Sequence, residues 1–136
     1  MKNLFIAIKS KITGSTLDRL VGGRAFAGRA PQKTAYPYLV FFAVSDVQQD
    51  TFKNKMDDII IQFSLFSSVS SPGEIEDIYD ALETLFDDAT MTITGATQCL
   101  LFRENTLRLS EEITTPTGTS EVWHTAVDYK IIIQRA

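Results

Sequence analysis

Residues 71–88, SPGEIEDIYDALETLFDD, constrain this chain more than any other stretch. Ile75, Ile78, Tyr79, Leu82, Leu85 and Phe86 recur at helical spacing, which predicts a helix with one apolar stripe. Its start is marked three times over. Ser71 is placed to cap, Pro72 suits the first helical position, and Glu74 sits where a capping box wants an acid. Glu74, Glu76 and Asp77 also lie at the positive end of the macrodipole. Burying the stripe contributes roughly 10 kcal/mol at the upper end, so the rest of the chain must offer an apolar face to receive it. The opposite face carries Glu76, Asp77, Asp80, Glu83, Asp87 and Asp88, and no Lys or Arg. A solvated face ordinarily mixes the signs. This ridge calls for either a solvation or a partner explanation.

The face that receives the stripe is best sought in Val122–Gln134, whose period of two is the cleanest in the chain. Trp123, Val127, Tyr129, Ile131 and Ile133 fall on one side, and His124, Asp128, Lys130 and Gln134 on the other. Earlier in the chain, residues 2–13 read as a first helix with Leu4, Ile8, and also Phe5 and Ile12, on its buried side, ended by Gly14. A short helical turn follows from Ser15 or Thr16 through Leu17, Leu20 and Val21, closed by Gly22-Gly23. Arg24–Ala27 reads as a short extended piece, and Ala30–Ala35 as a loop bounded by Pro31 and Pro37. Tyr38–Ser45 is apolar on both faces, which predicts a central strand covered on both sides. Asp57–Phe66 predicts a returning strand with Ile59, Ile61, Phe63 and Leu65 together. Met91–Thr94 reads as a brief strand and Thr97–Leu109 as a longer one. Two polar stretches, Asp46–Lys55 and Ser110–Glu121, read as long loops, which in a compact domain are functional or disordered. The order of elements predicts a single α+β domain over residues 1–136. Its sheet should be mainly antiparallel, of four to five strands, with two or three helices packed on one face.

Charge is unevenly spread. Residues 1–55 hold nine Lys or Arg against three Asp, a balance of +6, and residues 56–136 hold four against fourteen acids, a balance of −10. The two halves give the net charge of −4. Such a split is either accidental or self-complementary, the basic half of one copy meeting the acidic half of the next. Chain length of 136 residues suffices for a core without staples, and the single Cys99 excludes an internal disulfide. The longest apolar run, Tyr38–Val44, is far short of the ~20 residues that span a membrane. Lys9 and Lys11 interrupt the apolar Leu4–Ile8, so the N-terminus reads as an amphipathic helix rather than a signal peptide.

Catalytic signals are missing from the pattern. Residues 23–30, GRAFAGRA, have the glycine spacing of a phosphate-binding loop but lack its Lys and its Ser/Thr, and read as turn and strand. His124 reads as a surface histidine without a sequence-placed nucleophile, and Cys99 as a small core residue. One acidic helical ridge offers too few convergent ligands for a metal, and no basic stripe with interleaved aromatics points to nucleic acid. No catalytic, cofactor-binding or metal residues are assigned.

Taken whole, the chain resembles the tail completion, or tail terminator, proteins of long-tailed bacteriophages and related prophages. The residues carrying the resemblance begin with a short N-terminal helix leading into Leu20-Val21-Gly22-Gly23-Arg24-Ala25-Phe26. Ala30-Pro31-Gln32 and Tyr36-Pro37-Tyr38 follow, opening the strongly apolar strand. A polar hairpin, a second strand, one amphipathic helix and the exit strand Ala126-Val127-Asp128-Tyr129-Lys130-Ile131-Ile132 complete it, from about residue 4 to residue 134. The resemblance implies a structural virion protein, assembled in the bacterial cytoplasm, that forms a six-membered ring at the head-proximal end of the tail tube. Such a ring ends tube growth and joins the head neck, and DNA passes through its centre. Implied partners are further copies of the chain, the tail tube protein, and a head-neck connector or stopper protein; cofactors and membranes are not implied. A ring needs complementary patches and a lumen that does not hold phosphates. Arg24, Arg29 and Lys33 against Asp77, Asp80 and Glu83 are the candidate subunit-interface or lumen residues. Two alternatives stand beside this reading: another head-tail joining protein (a head-completion or adaptor protein), and an unrelated small α+β interaction domain.

Overall fold

The structure, a computed structural model, describes residues 2–48, 50, 55–68, 71–115 and 118–135, with side chains described except at 98, 113–115 and 118–120. Three helices and five strands follow one another as α1 (Lys2–Ile12), α2 (Thr16–Leu20), β1 (Ala25–Ala27), β2 (Tyr38–Gln48), β3 (Lys55–Ser67), α3 (Gly73–Phe86), β4 (Ala96–Thr115) and β5 (Gly118–Arg135). The strands form a single sheet in the order β1-β2-β3-β5-β4. All pairs are antiparallel except β1–β2, which makes the sheet mixed. The expected α+β architecture therefore stands, with the parallel β1 as its one departure.

All three helices lie on one face. Leu4, Ile8 and Ile12 of α1, Leu17 of α2, and Ile75, Ile78, Tyr79, Leu82 and Phe86 of α3 share one buried cluster with the inward residues of the strands. Phe63 stands at its centre, with ring centroids 6.0 Å from Phe41, 4.9 Å from Phe86 and 5.6 Å from Tyr129. The period-two reading of β3 and β5 holds: Ile59, Ile61, Phe63, Leu65, Val127, Tyr129, Ile131 and Ile133 all join this cluster. Tyr129 and Trp123 meet the α3 end of the layer, where Phe86 lies 6.1 Å from Tyr129 and Trp123 shares a cleft with Ile75. Ile133 instead lies toward α1, beside Leu4 and Ile93.

Local chemistry explains most boundaries. Ser15 caps α2, its hydroxyl accepting from the Asp18 amide at 3.2 Å. Gly14, Gly22 and Gly23 take positive φ where these two helices end, as the breaker reading required. The start of α3 differs from expectation. Ser71 accepts from the Gly73 amide at 3.3 Å, but Glu74 turns back to accept from the Ser67 hydroxyl at 2.9 Å. Glu74 thus ties the helix to the end of β3 instead of closing a capping box.

Three further expectations are corrected. Strand β2 is interior to the sheet, but its cover on the helix-free side is partial: Val40 is buried there and Phe42 half-buried, whereas Val44 is 55 % exposed beside a bulge between Ala43 and Ser45. Only Thr90 bridges to Leu100 near the expected 91–94 strand, while Ile93 drops into the core beneath α1. The polar stretch 110–121 is not a loop. Ser110–Thr115 pairs residue by residue with Gly118–Trp123, so β4 and β5 run on as a long hairpin. Threonines at 114, 115 and 119 suit extended backbone whatever their polarity. Similarly, residues 46–48 and 55 of the other expected loop are strand, and only residues 49 and 51–54 lie outside the described ones.

Candidate functional site

Because the sheet order places β1 at one edge and β4 at the other, the molecule presents two unlike borders and one helix-free face. The acidic ridge of α3 lies beside the β4 border, and its charges are largely answered within the chain. Arg103 of β4 reaches Glu83 at 3.0 Å and Asp87 at 3.3 Å, and donates to the Tyr79 hydroxyl at 2.6 Å. Arg108 of β4 binds Glu76 through two nitrogens, at 2.8 and 3.3 Å, and stacks 4.9 Å from the Tyr79 ring. Asp87 accepts a further bond from Tyr129, whose hydroxyl is held protonated by burial and then by that carboxylate. The cations that the helix lacks come from the neighbouring strand. A one-dimensional reading of the helix cannot see them, although the alternation in β4 puts Arg103 and Arg108 on the helix-facing side once the bulge between Arg103 and Asn105 is counted.

The six candidate residues divide accordingly. Glu83 is committed to Arg103. Arg24 is committed too: its guanidinium donates to the carbonyls of Pro37 at 2.9 Å and Tyr36 at 3.3 Å, closing the 28–37 loop against β1. Arg29 and Lys33 are exposed on that loop at the β1 border, and among the described residues neither makes an ion pair. Asp77 and Asp80 are exposed at the rim of an apolar groove between α2 and α3, floored by Leu17, Leu20, Ala81 and Leu85. The structure does not bring the two signs together within one copy.

Sequence reasoning missed the helix-free face. There an aromatic file crosses the sheet: Tyr36 to Tyr38 at 5.3 Å, Tyr38 to Phe66 at 4.8 Å, and Phe66 to His124 at 4.4 Å, ending on Glu111 at 3.2 Å. His124 is therefore stacked and only 16 % exposed, not a free surface histidine. Burial raises the Tyr38 pKa, with Tyr36 and Glu111 adding to it, and burial followed by Glu104 raises that of Asp128. Toward the β4 border the face turns apolar and exposed, with Leu100, Phe102, Leu107 and Leu109 each at least 40 % accessible. Their alternation was legible, but the assignment of 97–109 to a mixed strand hid that all four share one face.

Among the described residues no group of three or more His, Cys, Asp or Glu side chains could hold a metal, and the exposed features are charged loops and an apolar sheet face. The sequence model of a family described as tail completion protein gp17 matches residues 12–134. The chain belongs to that family. No curated protein matches it significantly. Among solved structures, a chain from the virion of a native gene transfer agent particle superposes with a TM-score of 0.75 at 9 % identity, over 95 % of this chain and 92 % of that one. A second solved chain superposes with a TM-score of 0.58 at 12 % identity, over 99 % of this chain and 95 % of that one. At such identities the likeness shows the fold. As a member of the tail completion family, the protein is a structural component of a phage tail or head-tail junction.

Proposed function

We propose that this tail completion protein forms a closed ring, six subunits round, on the head-proximal end of the tail tube. There it ends tube growth, offers the surface that joins the neck, and lets DNA pass through its centre. The observation that supports this reading best is the asymmetry of the two sheet borders. A surface that differs at its two edges assembles head to tail, and head-to-tail contacts give rings when the rotation closes. An isologous dimer would instead need one self-complementary patch. Partners on the two faces of the ring are the tail tube protein and a connector or stopper of the neck, and assembly takes place in the host cytoplasm. Of the candidate residues, Arg29, Lys33, Asp77 and Asp80 are free to serve an interface or the lumen. Arg24 and Glu83 act by shaping what their neighbours present.

Electron microscopy of the purified protein, with native mass spectrometry, tests the ring. Six-fold annular particles are the expected result. A species that stays monomeric at every concentration and also fails to cap tail tubes refutes it.

A further inference from the structure

The long hairpin carries a feature that the tail-completion reading does not use. Strand β3 stops pairing with β5 at Ser67–Trp123, so Glu111–Thr115 and Gly118–Val122 pair only with each other. Five residue pairs extend past the sheet as an arm about 17 Å long. Residues 110–122 contain Glu111, Glu112 and Glu121 and no Lys, Arg or His. Glu111 is engaged by His124. Glu112 and Glu121 are not so placed: they are both exposed and stand directly opposite one another across the hairpin. Like charges facing each other in this way weaken a strand pair, and a two-stranded ribbon has little stability to spare. A cation supplied from outside the copy would remove that cost.

The same chain holds such cations at the other border. The 28–37 loop ends in Tyr36-Pro37-Tyr38, and Tyr38 lies in the cross-sheet row Tyr38–Phe66–His124–Leu109 from which the arm projects. The loop leaves β1 level with Phe41 and returns to the Tyr38 row, so its returning end and the acidic arm lie toward the same end of the sheet at opposite edges. Beside the arm, β4 leaves one edge of its backbone unpaired and exposes Leu107 and Leu109. A strand edge of that length and character is covered in a working assembly.

We propose that the arm and the β4 border of one copy seat against the 29–33 loop on the β1 border of the next copy. Glu112 and Glu121 meet Arg29 and Lys33, and Leu107 and Leu109 are covered. Arg24 is a positioning residue in this contact, since its two bonds to the Tyr36 and Pro37 carbonyls hold the loop in shape. The inference rests on the ring reading above and names the surfaces that close it. It also takes Glu76, Glu83 and Asp87 of the α3 ridge out of the contact, because Arg103 and Arg108 already pair with them, and leaves Asp77 and Asp80 as the competing acids that the test includes.

The test uses the full chain in four forms, read by native mass spectrometry at low and high salt. They are wild type, Glu112→Lys with Glu121→Lys, Arg29→Glu with Lys33→Glu, and all four changes together. Circular dichroism verifies the fold of each, and Glu112→Gln with Glu121→Gln stands in should the reversal disturb the hairpin. Each reversal is expected to weaken assembly by about tenfold or more per contact, with the fourfold variant recovering most of it. Added salt should weaken wild-type rings in the same direction. Rings that form equally in all four variants overturn the arm-to-loop contact while leaving the ring itself standing. Loss of rings on Asp77→Lys with Asp80→Lys, the arm variants remaining unaffected, overturns it in favour of the α3 ridge. A wild-type protein that forms no ring refutes the ring reading and this contact along with it.

Discussion

Replacing Arg103 with Met keeps the aliphatic stem that packs along α3 and deletes the charge that answers Glu83, Asp87 and Tyr79. The two ion pairs involve side chains about a third exposed, so each contributes only ~0.5 kcal/mol. The donation to the Tyr79 hydroxyl, part-buried at 2.6 Å, adds ~1 kcal/mol. Glu83 and Asp87 lie four apart on one helix, and without the guanidinium between them they repel by a few tenths of a kcal/mol. Together the expected loss is ~2 kcal/mol, measured as the shift in urea midpoint at unchanged slope. Salt separates the terms. At 1 M ionic strength the Debye length is about 3 Å, so the ion-pair share fades and the loss should shrink toward ~1 kcal/mol. A loss below about 0.5 kcal/mol at low salt refutes the idea that β4 is clamped to α3 through its arginines. A loss that salt leaves untouched assigns the effect to packing instead.

Leu82→Ala should cost roughly 2–5 kcal/mol by urea unfolding, because Leu82 is fully buried under α3 and its removal leaves a cavity. Tyr129→Phe should cost about 1.5–3 kcal/mol, the worth of a hydrogen bond to a carboxylate, since it deletes the hydroxyl that donates to Asp87. Asp128→Asn should stabilise at neutral pH. Burial raises the Asp128 pKa in the folded state, so the folded protein binds the extra proton and stability falls as pH rises through the ordinary carboxylate range. The gain from Asn should accordingly vanish in acid, and a gain that persists below that range counts against burial as its cause. Hydrogen exchange should show the amides of Ser110–Thr115 protected, though less than those of β3 in the sheet centre; full exchange at mixing time contradicts the paired arm.

Those elements whose burial faces one layer were legible from residues alone. The stripe of α3, the alternation of β5 and the inward set Ile59–Leu65 each repeat with the period of their own backbone, so one dimension carried the information. What failed depended on neighbours. The acidic ridge looks unanswered in the sequence because its arginines come from β4, a separate element well beyond the helical spacing that a one-dimensional reading inspects. The arm reads as a loop from its polarity, whereas a ribbon that extends past the central strands can pair without the apolar alternation of a core strand. Strand β2 looked central because both faces are apolar, yet its outward face is one that only a further protein would cover. For the candidate site, the sequence located the charge imbalance but not its placement. Arg29 and Lys33 remain available, Arg24 and Glu83 do not, and the further acids that the proposed contact uses are Glu112 and Glu121.

On the proposed arm-to-loop contact, this placement bears on which edges of two copies can meet. A long β4 whose outer edge, past the Thr90 bridge at Leu100, has no strand partner among the described residues, and which exposes four apolar side chains, is an invitation to unspecific pairing. Glu104 beside the bulge, and Glu112 and Glu121 on the arm, put negative charge along that same border, so two β4 edges brought together repel. Only a surface of the opposite sign lowers that barrier, and the 29–33 loop at the far border supplies one while its own copy cannot reach it. On the ring reading, then, the repulsion that keeps copies apart edge to like edge also selects the head-to-tail contact. Each such contact is weak by itself, since exposed ion pairs contribute at most ~1 kcal/mol. Closure supplies what a single contact lacks: the last subunit of a ring makes two contacts for one loss of translational freedom, so its second contact forms at high effective concentration. A tube end that holds the first subunits in register would promote that closure further.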